Sequence, residues 1–428
     1  MDATEVRRTL DAVWRIESAR LIASLASWTH DLGTAEELAQ DALVAALEQW
    51  PSTGVPTNPA AWLQTVAKRR AIDELRRRTR LDHKITELAR ETPTHTEPEL
   101  PDPHDDLTDE MLRLVFTACH PVLSTNARVA LTLRLVGGLT TAEIARAFLL
   151  PEPTVAQRIT RAKKTLARKR VPFAVPQGPD LAPRLASVLE VVYLIFNEGY
   201  TATAGEEWTR PDLCVEALRL GRMIAELAPT EPEVHGLVAL LELQASRLHA
   251  RTGPTGDPVL LLDQDRSRWD RLLIRRGLTA LDRALALTDT PGPYVLQAAI
   301  AACHARATTP EDTDWAHIAD LYAALARVNP SPVVELNRAV AVSMAHGPAA
   351  ALDLVDHLAD DPALARYHLL PAVRGDLLTK LGRHTEAHHE FTRAADLTRN
   401  ARERALLRQR ARDAAARSPD LGGTEPPR

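Results

Sequence analysis

Cysteine is scarce: Cys119, Cys214 and Cys303 are the only three in 428 residues, far apart and without a C-x-x-C pair. Neither a disulfide framework nor a cysteine-rich zinc site is supported, and three isolated thiols fit a reducing compartment. Aromatics make up only 4% of the chain, which disfavours sheets and favours helices in a sequence rich in Ala, Leu and Arg. No apolar run reaches the ~18 residues of a membrane span; the longest candidate, from Ala186 to Phe196, is short and carries Glu190. The N-terminal segment MDATEVRRTLDAV has no apolar core of the kind a signal peptide needs. Lysine is also rare, six against 46 arginines, a bias that points to a GC-rich bacterial coding sequence.

What is present is a marked charge pattern beneath a net charge of −5. Residues 1–80 are balanced, but their bases cluster late: Lys68, Arg69, Arg70, Arg76, Arg77, Arg78 and Arg80. Residues 81–110 hold 10 acids, two bases and four prolines; residues 111–170 hold 11 bases and two acids. Two basic blocks on an acidic, Pro-rich tether have the layout of two nucleic-acid contact modules. The alternative for each block alone is a solvated helix face.

No β-type alternation is sustained anywhere, so the predicted fold is all-α. Residues 34–50 place Leu38, Ala42, Ala45 and Ala46 on one face, with Thr34 as N-cap and Glu37 as its capping-box partner. A Pro/Gly/Thr/Asn loop follows. Residues 60–80 then read as one helix with Trp62, Val66, Ile72 and Leu75 inside and a cationic end. Between residues 111 and 170 the pattern predicts a helix-turn-helix: a helix stopped by Gly137-Gly138, a short helix 142–148, the turn LLPEP, and a helix opened by Thr154. On that last helix Val155, Ile159 and Leu166 face inward, and Gln157, Arg158, Arg161, Lys163 and Lys164 face outward. Gln and Arg are side chains that read base edges bidentately in a major groove.

The second half reads as helical pairs. In residues 375–397, Gly375, Gly382, Ala387, Phe391 and Ala394 have tetratricopeptide spacing. Small residues let two helices approach and Phe391 fills the gap. Residues 213–227 with 233–247, 277–287 with 293–305, and 333–345 read as further, degenerate members, and residues 401–416 as a capping helix. Such repeats must stack, so residues 171–417 are expected to form one regulatory solenoid, followed by a disordered tail, 418–428.

At this point two stretches resemble a known family. TAEELAQDALVAALEQW with PAAWLQTVAKRRAIDELRRR resembles region two of an extracytoplasmic-function sigma factor, and LRLVGGLTTAEIARAFLLPEPTVAQRITRAKKTL resembles its region four. The remainder is similar to the subgroup with a long tetratricopeptide-like extension. The resemblance implies partners: core RNA polymerase, through its β′ clamp helices and β flap, promoter DNA, and a protein or peptide ligand of the repeats. It implies polymerase binding by Glu37, Leu38, Gln40 and Asp41 in a region-two domain, 1–80. It implies minus-ten contacts by Lys68, Arg69, Arg70, Asp73, Arg76 and Arg77. A linker, 81–110, would follow. The region-four domain, 111–170, would read the minus-thirty-five element through Thr154, Gln157, Arg158 and Arg161, with Lys163 and Lys164 on phosphates. Where the family turn has Ser and Gly, this chain has Pro151-Glu152-Pro153, a stiffer loop.

The resemblance also implies a cytoplasmic protein with no cofactor and no catalytic role. The competing enzyme reading rests on Asp263, Asp265 and Asp270 among Arg266, Arg268 and Trp269, a cluster that invites a metal. No EF-hand, H-E-x-x-H or P-loop spacing accompanies it, and i,i+3 or i,i+4 ion pairs explain it better. A second alternative is a helix-turn-helix regulator with a repeat sensor that never touches polymerase.

Overall fold

The computed structural model describes residues 3–89, 107–148, 150–202 and 205–418. Among them there is no β-strand, only two isolated bridges, Gly205–Asn400 and Thr252–Pro258. The chain divides into two compact units, Met1–Leu194 and Ile195–Arg428.

In the first unit, α1 (Ala3–Thr29), which the sequence pattern did not reveal, packs on α2 (Leu32–Thr53) and α3 (Pro59–Ala89). Helix α2 starts two residues before the expected Thr34. Its N-cap is Asp31, whose Oδ1 accepts from Thr34 N–H at 2.6 Å. A carboxylate at this position satisfies an orphan N–H and complements the helix dipole. The inner stripe of α2 is small: Ala35, Ala39, Ala42 and Ala46 are fully buried, so its axis lies close to its neighbours. Trp50 closes the end of the stripe, edge-on to Trp62 at 5.4 Å. The inner stripe of α3 is Leu63, Ala67 and Ala71; Trp62, Val66 and Ile72 are only half-buried. Helix α3 also runs past Arg80 to Ala89, into the expected tether. The rest of that tether, through residue 106, lies outside the described residues, as does the tail after residue 418.

The helix-turn-helix is built from α4 (Leu107–Ala118), α5 (Thr125–Leu135), α6 (Thr141–Phe148) and α7 (Glu152–Arg168). Gly138, at φ 70°, makes the left-handed turn after α5. A reciprocal capping box opens α6: Thr140 N–H donates to Glu143 Oε2 at 2.8 Å, and Glu143 N–H to Thr140 Oγ1 at 3.1 Å. Helix α7 begins at Glu152 behind Pro151, not at Thr154, with Pro153 in its first turn where no N–H is needed. Ile144 on α6 and Val155, Ile159, Ala162 and Leu166 on α7 are buried, and α7 packs on both α5 and α6.

The first unit extends beyond Arg170. Helix α8 (Leu181–Tyr200) crosses the unit boundary, and its first half belongs to the helix-turn-helix. Arg184 donates to Phe116 O at 2.7 Å, and Ser187 Oγ to Cys119 O at 2.6 Å. Arg128, 8% exposed, reaches Ser187 and Glu190, the latter at 2.9 Å.

The second unit holds α9 (Pro211–Leu227), α10 (Pro232–Ala245), α11 (Arg271–Ala286), α12 (Pro293–Arg306), α13 (Trp315–Val328), α14 (Pro332–His346), α15 (Pro348–Leu358), α16 (Leu369–Lys380), α17 (His384–Leu397) and α18 (Ala401–Arg417). Neighbours in sequence pack as neighbours in space, as stacked helical pairs require. Gly375 on α16 lies against the Phe391 ring of α17. Helix α18 does more than cover the last pair. Asn400 caps it, accepting from the N–H groups of Arg402 and Glu403. Asn400 Nδ2 also donates to Ala202 O at 3.0 Å and Glu207 O at 2.8 Å. The last helix of the unit is thereby tied to its first loop.

Candidate nucleic-acid interface

The outward face of α7 carries Thr154, Gln157, Arg161 and Lys164 exposed, with Arg158 half-buried. Among the described residues no carboxylate pairs with Arg158, Arg161 or Lys164. Thr154, Gln157, Arg158 and Arg161 line one wall of a groove of about 370 Å³; Val122, Leu123, Ser124 and Ala127 line the other. Ser124 is the N-cap of α5 but makes no side-chain cap. The positive end of the α5 dipole therefore opens on the groove beside two guanidinium groups, a setting that favours an anion. The turn before α5 was not foreseen as part of this surface; a Ser before a helical run was its one available signal. Lys163 departs from expectation: its ammonium turns away from the outer face and donates to Glu36 Oε2 at 2.7 Å.

The region-two positions divide in the same way. Arg69, Asp73, Arg76 and Arg77 are exposed along α3, and Arg77 pairs with Glu74 at 2.8 Å. Lys68 instead lies 4.8 Å over the Trp28 ring, and Arg70 pairs with Asp41 at 3.3 Å. On α2, Glu37 and Asp41 are exposed. Gln40 is half-buried and donates to Glu36 at 2.8 Å. Leu38 is 7% exposed and belongs to the core, which removes it from any docking surface. The apolar residues that α2 does present are Val44, 49% exposed, and Leu47, 38%. They extend the Glu37–Asp41 face toward Glu48 and make a small apolar patch with an acidic rim.

The aspartate cluster of the second unit is structural. Asp270 caps α11 through the N–H groups of Leu272 and Leu273, and Asp265 accepts from Ser267. Arg266 does not pair with Asp270; it turns inward to His304 O, Ala307 O and Thr313 Oγ1. Burial, with Arg247 and Arg266 nearby, pushes His304 down to about 3, so it stays neutral. Burial pushes the Cys119 thiol up to about 11, far from a reactive thiolate. Among the described residues no three His, Cys, Asp or Glu side chains converge to hold a metal, and no helix is long and apolar enough to cross a membrane.

An all-helical chain with an exposed cationic helix-turn-helix beside a second helical module is the architecture of a DNA-binding transcription protein. Residues 15–81 match the family model for sigma-70 region 2, and residues 113–166 that for sigma-70, region 4. The chain belongs to the sigma-70 family and carries a C-terminal helical extension. Residues 184–285 match a further family of unknown function, DUF6596. The chain is 47% identical over 387 residues to the uncharacterized protein R00370 of Rhizobium meliloti (strain 1021), covering 90% of this chain and 91% of that one. Among solved structures, yeast Tom70 aligns over 91% of this chain and 82% of its own, at 12% identity and a TM-score of 0.32, too slight a likeness to bear on function.

Proposed function

We propose that this chain is an alternative sigma factor of the extracytoplasmic-function type, which binds core RNA polymerase and directs promoter-specific initiation under control of its own C-terminal helical unit. The observation that carries the reading is the presence, in one chain, of both sigma-70 regions, each keeping exposed charge on the helix expected to work. Helix α2 offers polymerase the face of Glu37, Asp41, Val44 and Leu47. Helix α3 offers the minus-ten strand a track of Arg69, Arg76 and Arg77. Helix α7 inserts Gln157, Arg158 and Arg161 in the upstream element, where a guanidinium reads guanine O6 and N7. The second unit, built for protein or peptide binding, takes the role of a regulator in cis.

Reconstituted transcription with purified core polymerase tests this reading. The full chain should direct initiation from its own promoter. Glu37→Ala/Asp41→Ala/Val44→Ala should lose polymerase binding with its helical circular dichroism intact. DNA binding without any association with polymerase would establish the regulator reading instead.

A further inference from the structure

A single buried carboxylate joins region two to region four. Glu36, on α2, is 4% exposed. Its Oε1 accepts from Arg134 Nε at 2.6 Å, and its Oε2 from Lys163 Nζ at 2.7 Å. Arg134 lies in the last turn of α5 and Lys163 in the middle of α7, so one side chain of region two holds two separate helices of region four. Arg134 Nη1 also donates to Leu139 O at 3.1 Å, which carries the clasp into the turn before α6. Burial alone would raise the carboxyl pKa, yet the two cations outweigh it and hold Glu36 below the usual carboxylate range. A buried ion pair is weak evidence for net stability, and its best-attested use is to set a register or a switch.

We propose that Glu36 is a latch that closes region two on region four and withholds Lys163 from DNA until another protein engages α2. The proposal rests on the reading of α7 as a DNA-contacting helix. Lys163 cannot serve both roles at once, because a phosphate brought to its ammonium would meet the Glu36 carboxylate already there. The latch also lies one residue from Glu37 on α2, so a partner bound to the exposed face of that helix acts on the element that holds the clasp.

The test uses the full chain and a labelled DNA duplex of arbitrary sequence. Glu36→Gln should free Lys163 as one additional phosphate contact. Each such contact steepens the salt dependence by about 0.9 in log–log slope, so affinity should fall about 3.5-fold more between about 50 and 200 mM salt than for wild type. Lys163→Met should leave the wild-type slope unchanged yet abolish the gain in the Glu36→Gln background. Spin labels at Gln49→Cys and Ala167→Cys, in a Cys303→Ser background, should report a longer and broader distance distribution for Glu36→Gln. Arg134→Gln loosens the same clasp from the α5 side and gives an independent reading of that distance should Glu36→Gln not fold. Unchanged distances in folded variants, or a shallower slope for Lys163→Met alone, would overturn the latch. Absence of DNA binding by every variant would instead count against the DNA-contact reading of α7.

Discussion

Replacing Gly375 with alanine asks whether the α16–α17 contact is as close as the backbone makes it. A Cβ at Gly375 would lie 2.9, 3.0 and 3.1 Å from three carbons of the Phe391 ring, against about 3.5–4.0 Å for ordinary carbon contact. The ring cannot easily retreat: it is 2% exposed, and the Arg410 guanidinium lies over it, 4.4 Å from its centroid. Overpacking of this kind costs about 1–3 kcal/mol. Alanine returns roughly 0.5–1 kcal/mol over glycine inside a helix, leaving a net loss of up to about 2.5 kcal/mol. For a unit of this size each kcal/mol lost lowers Tm by about 2–4 °C, so the drop reaches at most about 10 °C. Phe391→Ala alone should cost about 3–5 kcal/mol. In that background Gly375→Ala reverses sign and stabilises by roughly 0.5–1 kcal/mol, because the clash is gone and the propensity gain remains. Calorimetry of the full chain gives the global effect, and amide exchange across α16 and α17 localises it. The reasoning is refuted if Gly375→Ala destabilises equally with and without the Phe391 ring.

Arg158→Ala should relax base preference by roughly 1–3 kcal/mol of discrimination, whereas Lys164→Ala should weaken all DNA about equally; binding-site selection with each variant separates the two. Truncation after Arg170 should lower the melting temperature of the first unit, since it strips the α8 partners from buried Arg128, while truncation after Leu194 should spare it; both should abolish promoter-specific transcription, and a fully active Leu194 truncation would point to simple masking by the second unit. The lowered Glu36 pKa means that its stabilisation is present above the unfolded carboxylate value and is lost as pH falls through the lower folded value. The stability difference between wild type and Glu36→Gln should therefore shrink with acid, as followed by urea unfolding at a series of pH values.

Local signals in the sequence were enough for much of this architecture. The Gly137-Gly138 stop and the small-residue pattern around Phe391 are local signals, and each sits where the pattern places it. The errors have a common origin in distance. Thr34 and Asp31 are both good N-caps, and only the backbone geometry at Asp31 selects between them. The α3 stripe was misplaced because Ala67 and Ala71 carry little hydrophobic weight beside Trp62 and Ile72, although close packing prefers them inside. Leu38 entered the docking patch through the family resemblance, whereas periodicity places it on the face of Ala42, Ala45 and Ala46, where the structure buries it. Nothing in the local sequence pattern marks Glu36, because its partners are 98 and 127 positions away, beyond any periodic pattern.

The tie between Asn400 and the loop after α8 sets a timetable for synthesis. A linear array of repeats can fold from its first pair as it leaves the ribosome. Here Ala202 must wait for a partner 198 positions downstream. At about 5–20 residues per second that interval lasts roughly 10–40 s, during which the loop carbonyls have only water. A chain cut before Asn400 would never close this contact. The cell would thus have a simple chemical mark of an incomplete copy: a first unit already formed, joined to a second unit whose ends have not met.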